Sequence, residues 1–135
     1  MKSREAVIRL KRFEVEEKRR KVADIEAMIS DFSHMAVDLD RQIAIEQDRA
    51  GVSDVNHYAY PTFAKAAIQR RNNLTASAAN LGAKLEAARE EFDEACEELK
   101  RIELLEERDA ERLRLEQAPA SQSARDGVEP QRATG

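Results

Sequence analysis

VADIEAMISDFSHMAVDLDRQI, residues 22–43, sets apolar side chains at Val22, Ile25, Ile29, Phe32, Ala36, Leu39 and Ile43. The steps alternate between three and four. That spacing holds one stripe on one face of an α-helix and is the pattern of a helix wrapped against a partner helix. Extended outward with Met1 as heptad position a, the a series Met1, Ile8, Val15, Val22, Ile29, Ala36, Ile43, Ala50 is apolar throughout. The d series Arg4, Lys11, Lys18, Ile25, Phe32, Leu39, Glu46 is apolar only in its middle. Gly51 comes next, and Gly51-Val52-Ser53-Asp54-Val55-Asn56-His57-Tyr58 is rich in turn formers. Pro61 suits the first turn of a new helix, where its missing N–H costs nothing.

The second half repeats the spacing. Leu74, Ala78, Leu81, Leu85, Ala88, Phe92, Ala95, Leu99 and Ile102 alternate steps of four and three. Glu106 and Asp109 interrupt the stripe, and Leu113 resumes it. Pro119 then predicts a helix end. The sequence therefore predicts an all-α fold, a long antiparallel two-helix coiled-coil hairpin over residues 1–118. Helix 1 is expected over about 3–51, the tip over 52–60 and helix 2 over about 61–117. Residues 119–135, rich in Ala, Ser, Gln and Gly and without periodicity, are expected to form a disordered tail.

Composition agrees. Apolar residues make up 41% but aromatics only 4%, with 37% charged, which is the balance of long helices and not of a globular core. A net charge of −4 argues against general nucleic-acid binding, which needs basic surface. The single cysteine, Cys96, cannot form an internal disulfide. No apolar run approaches the ~20 residues that span a bilayer, so no direct membrane insertion is expected. The charged start after Met1 does not resemble a signal peptide, and a cytoplasmic protein is the expectation.

Charge sets the direction of the hairpin. Residues 1–21 carry net +5, 22–50 net −5, 61–85 net +4 and 86–116 net −7. Folding back pairs opposite blocks, whereas a parallel dimer sets like against like. Each exposed pair is worth only ~0.2–1 kcal/mol, but all favour one orientation. A register in which facing residue numbers sum to about 117 puts Ile43 on Leu74, Phe32 on Leu85, Ile25 on Phe92, Glu46 on Arg71 and Lys11 on Glu106.

No catalytic, cofactor or metal constellation is legible, so the chain is expected not to be an enzyme and to need no cofactor. His34 falls on the outer f position, and His57 lies in the tip, far from it in sequence. Cys96 flanks the seam as a small filler. Lys18-Arg19-Arg20-Lys21 could be read as a nucleic-acid arm, but complementing the acidic second helix is the simpler reading. Tyr58, Tyr60 and Phe63 cluster at the tip, either capping the seam or forming an aromatic docking patch. Leu10 and Phe13, at positions c and f, have nothing intramolecular to pack against in a two-helix coil.

Several strings resemble one subgroup of the flagellar export protein FliJ family. They are Lys2-Ser3-Arg4-Glu5, Ile8-Arg9-Leu10-Lys11-Arg12-Phe13 and Glu17-Lys18-Arg19-Arg20-Lys21-Val22 near the start, Ala50-Gly51-Val52-Ser53-Asp54 with His57-Tyr58-Ala59-Tyr60-Pro61-Thr62-Phe63-Ala64-Lys65 at the tip, and Glu98-Leu99-Lys100-Arg101 with Leu105-Glu106-Glu107-Arg108-Asp109 later. The resemblance spans about residues 2–113. It implies an antiparallel coil like the central stalk of rotary ATPases. Its two-termini end would enter the hexameric flagellar export ATPase, its distal part would contact the membrane export gate protein, and export chaperones would bind it. Carried onto this chain, Leu10, Phe13 and Leu113 would face the ATPase ring. Tyr60 and Phe63 match the family's distal aromatic pair, and with Tyr58 they would lie at the gate contact. The implied location is the cytoplasm, peripherally at the inner face of the membrane at the flagellar base. The rival expectation is a structural coiled-coil adaptor or scaffold without an export role.

Overall fold

The computed structural model describes the backbone of residues 2–134 and the side chains of residues 3–117. Two helices, α1 (Lys2–Ala50) and α2 (Thr62–Thr134), pack against each other as a hairpin. Helical backbone in α2 continues past the end near 117 that Pro119 suggested. The side chains of 118–135, and with them the expected disordered tail, lie outside the described residues.

The break between the helices has a local cause. Gly51 takes φ +67° and donates its N–H to the carbonyl of Gln47 at 2.9 Å. That is the left-handed cap that satisfies an otherwise orphaned helix carbonyl, and a side chain there would be strained. The chain then makes two successive turns. The His57 N–H donates to the Asp54 carbonyl and the Tyr60 N–H to the His57 carbonyl, both at 3.0 Å. Asp54 Oδ1 accepts from the Asn56 N–H at 3.0 Å, the side-chain turn for which Asp is selected. The Pro61 carbonyl accepts the first bond of α2 from Lys65, at 3.1 Å.

The contacts form two compact units, Met1–Val15 with Glu94–Gly135, and Glu16–Asp93. In Glu16–Asp93 the α1 residues withdrawn from water are Lys18, Val22, Ile25, Ile29, Phe32, Ala36, Leu39, Ile43 and Glu46, with Glu16 and Gln47 beside them. This is the a/d stripe, without Ala50, which is exposed. On α2 the expected stripe from Leu74 to Phe92 is likewise withdrawn, and it extends back through Arg71, Ala67 and Ala64 to Tyr60. Ala64 is fully buried and Ala88 nearly so. Antiparallel ion pairs cross the seam, Lys18 and Lys21 to Glu91 at 3.4 and 3.2 Å, Glu26 to Arg89 at 3.3 Å and Asp40 to Arg71 at 3.0 Å.

In the other unit, Ile8 is buried and Arg4, Lys11 and Val15 are half-buried. Arg4 bonds Asp109 and lies 3.5 Å from Glu106. Lys11 meets Glu98 at 3.6 Å and Arg12 meets Glu103 at 2.9 Å. Basic α1 against acidic α2 holds here, and the reverse holds at Asp40–Arg71.

The expected register is wrong by about a heptad. Lys11 pairs with Glu98, not Glu106, and Arg71 pairs with Asp40, not Glu46, which instead meets Arg49. The expected facing pairs Ile43–Leu74, Phe32–Leu85 and Ile25–Phe92 slip with them. A heptad shift returns apolar to apolar, so the seam alone cannot choose its register. The choice is made at the tip, where Ala64 and Ala67 extend the seam closer to the turn than Leu74.

Candidate docking surfaces

Within Glu16–Asp93, the tip separates its aromatics by role. Tyr60 is only 6% exposed, and its hydroxyl accepts a bond from Gln47 Nε2 at 2.9 Å. It seals the end of the seam, and its ring offers little face to a partner. Tyr58 is 95% exposed and stacks on His57, ring centroids 4.6 Å apart. The imidazole is fixed in turn, because its Nδ1 accepts the Ala59 N–H at 3.0 Å. Phe63, on the first turn of α2, is exposed, as is Val55. Of the three expected tip residues, Tyr58 and Phe63 are available on the surface and Tyr60 is structural. An exposed aromatic held by a stacked neighbour loses little conformational freedom on binding, which suits an anchor.

In the termini unit, Leu10 and Phe13 are 54% and 59% exposed. Leu113 stands one turn past Asp109, in phase with the seam, and is exposed. Sequence reading missed Val7 and Leu105, which with Ser3, Arg4 and Ile102 line a groove of about 290 Å³. Val7 sits at position g, beside the seam, and only the facing of the two helices reveals that it shares a groove with Leu105.

No family model, curated protein or solved structure matches this chain. All four residues of the basic run are engaged within the hairpin, Lys18 and Lys21 with Glu91, Arg19 and Arg20 with Glu16. The hydrogen bonds from Lys21 and Lys18 hold the Glu91 carboxyl below its ordinary range, and the bond from Arg19 does the same for Glu16. The bond from Arg4 lowers Asp109, and Arg4 is raised in return. These shifts report ion pairing on an open surface and not a tuned acid or base. His34 is exposed and Cys96 half-buried. Among the described residues no group of His, Cys, Asp or Glu could hold a metal ion, and no helix is long and apolar enough to cross a membrane.

Proposed function

We propose that this chain is a non-enzymatic part of the flagellar type III export apparatus, a coiled-coil stalk and chaperone that couples the hexameric export ATPase to the membrane export gate. The observation that supports it most is the exposure of apolar side chains with nothing intramolecular to cover them, on strings that resemble the FliJ family. Leu10, Phe13 and Leu113, joined by Val7 and Leu105, form the ATPase-facing surface. Tyr58 and Phe63 form the gate-facing one, with Tyr60 holding the tip in shape beneath them. Export chaperones are further partners on this reading, and the protein acts in the cytoplasm at the inner membrane face of the flagellar base. A structural scaffold gives no reason to keep solvated aromatics at Phe13 and Tyr58.

Gene deletion and complementation test the proposal. Deletion is expected to abolish swimming and filament assembly. The wild-type gene should restore both, and Leu10→Glu/Phe13→Glu should not, although the variant folds. Normal motility in the deletion strain would reject an export role.

A further inference from the structure

One face of Glu16–Asp93 carries exposed methionines flanked by charges of both signs. Lys21 on α1 meets Glu91 on α2 at 3.2 Å, and Met35, Asp38 and Gln42 share a groove of about 210 Å³ with Arg70. Heptad steps forward from Lys21 reach Met28 and Met35, and heptad steps back from Glu91 reach Lys84 and Arg70. These residues therefore lie on the two lips of one face. Met28 and Met35 are 46% and 43% exposed at its centre, side chains suited to adaptable contacts. Outward on α1 runs an acidic ladder at heptad spacing, Asp24, Asp31 and Asp38, all exposed. Asp38 is ion-paired with Arg41, at 3.6 Å. Among the described residues the side chains of Asp24 and Asp31 have no ion pair or hydrogen bond, and neither do those of Arg70 and Lys84 on α2.

We propose that this methionine face binds a second copy of the chain, the two hairpins lying side by side in the same direction as a four-helix bundle. The charges choose both the occupant and the direction. A two-fold axis along the hairpin sets α1 of one copy beside α2 of the other. Lys84 lies level with Met28, because Glu91 lies level with Lys21, so it falls between Asp24 and Asp31 of its neighbour. Arg70 falls near the neighbour's Asp38. The opposite direction would stack acidic ladder on acidic ladder and cation on cation. The face spans some 20 residues, ~30 Å at 1.5 Å rise, by two helix widths of ~10 Å each. That is roughly 600 Å² per copy and ~1,200 Å² in total, the lower edge of stable interfaces. Association is accordingly reversible.

Sedimentation equilibrium from about 5 to 500 µM, a range bracketing a weak interface, reads the outcome. The wild-type chain should pass from monomer to dimer. Asp24→Lys/Asp31→Lys/Asp38→Lys and Arg70→Glu/Lys84→Glu alter only exposed side chains, and circular dichroism should show both folded. Each alone should associate at least tenfold more weakly, and an equimolar mixture of the two should dimerise as the wild type does. Spin labels on Ser53→Cys in a Cys96→Ser chain should report two tips at the same end of the dimer, a separation of roughly 20–40 Å set by two adjacent hairpins of ~20 Å width, against roughly 65 Å in the opposite direction at 1.5 Å rise per residue. A monomer across the whole range, equal association of all variants, or tips roughly 65 Å apart, as 1.5 Å rise per residue gives for the opposite direction, would overturn the proposal. The first of these would leave the face to a different partner.

Discussion

Ile43 and Ile45 are the same residue two positions apart on α1, and the hairpin predicts opposite fates for them. Ile43 is 6% exposed in the seam, whereas Ile45 is 51% exposed on the outer face. Ile43→Ala deletes three buried carbons. Such truncations cost ~2–5 kcal/mol, depending on how far the neighbours can collapse into the space. The seam is one layer deep and the flanking α1 seam residues Leu39 and Glu46 are only half-buried, so collapse is easy and the lower end applies, ~2–3 kcal/mol. At roughly 3–5 °C per kcal/mol for a chain between the 60–100 and 150–250 residue classes, the midpoint should fall by ~6–15 °C. Ile45→Ala should stay within ~0.5 kcal/mol of wild type, because the lost packing is slight and alanine favours the helix. Helicity is followed by circular dichroism during thermal and urea unfolding of the dilute chain. The urea slope should be unchanged in both variants. Equal losses from the two, or a larger loss from Ile45→Ala, would mean that α1 is rotated from its assigned face.

Four further outcomes follow from the geometry. Lys11→Glu should lose ~0.2–1 kcal/mol, with rescue by Glu98→Lys but not by Glu106→Lys, as a double-mutant unfolding cycle would read. Tyr60→Phe removes the acceptor for Gln47 and should cost ~0.5–1.5 kcal/mol, while Tyr58→Ala should leave the melting temperature unchanged. The carboxyls of Asp109 and Glu91 are held below their ordinary values of 3.8 and 4.5. Their contribution is therefore present above those values and lost as pH falls through the lowered ones. Melting temperature should drop below about pH 4, and Arg4→Gln should shrink that drop. Ending the chain at Gln117 should not change the midpoint, since every cross-helix ion pair among the described residues lies within residues 4–109.

The stripe Val22 to Ile43 and its continuation through charged Arg4, Lys11 and Lys18 were legible because burial in a two-helix coil follows the heptad alone. Long basic side chains can occupy a seam by laying their methylenes along it and keeping the charge in water. Opposite charge blocks likewise fixed the direction. Register was not legible, because the heptad repeats, and the alanines that decide it, Ala64 and Ala67, give a weak apolar signal. At the tip, aromatic content located the cluster, but only the turns at Asp54 and His57 determine that Tyr60 points inward and Tyr58 outward. Val7 with Leu105, and Met28 with Lys84, sit on flanks whose composition acquires meaning only once the two helices are set against each other.

Coupling to an export ATPase is the claim on which the functional account rests. ATP turnover and hexamer formation of the cognate enzyme, titrated with the purified chain, measure it most directly. The account predicts a saturable rise in both, lost in Leu10→Glu/Phe13→Glu and retained in Tyr58→Ala. An unchanged rate and assembly state at saturating wild-type chain would contradict it.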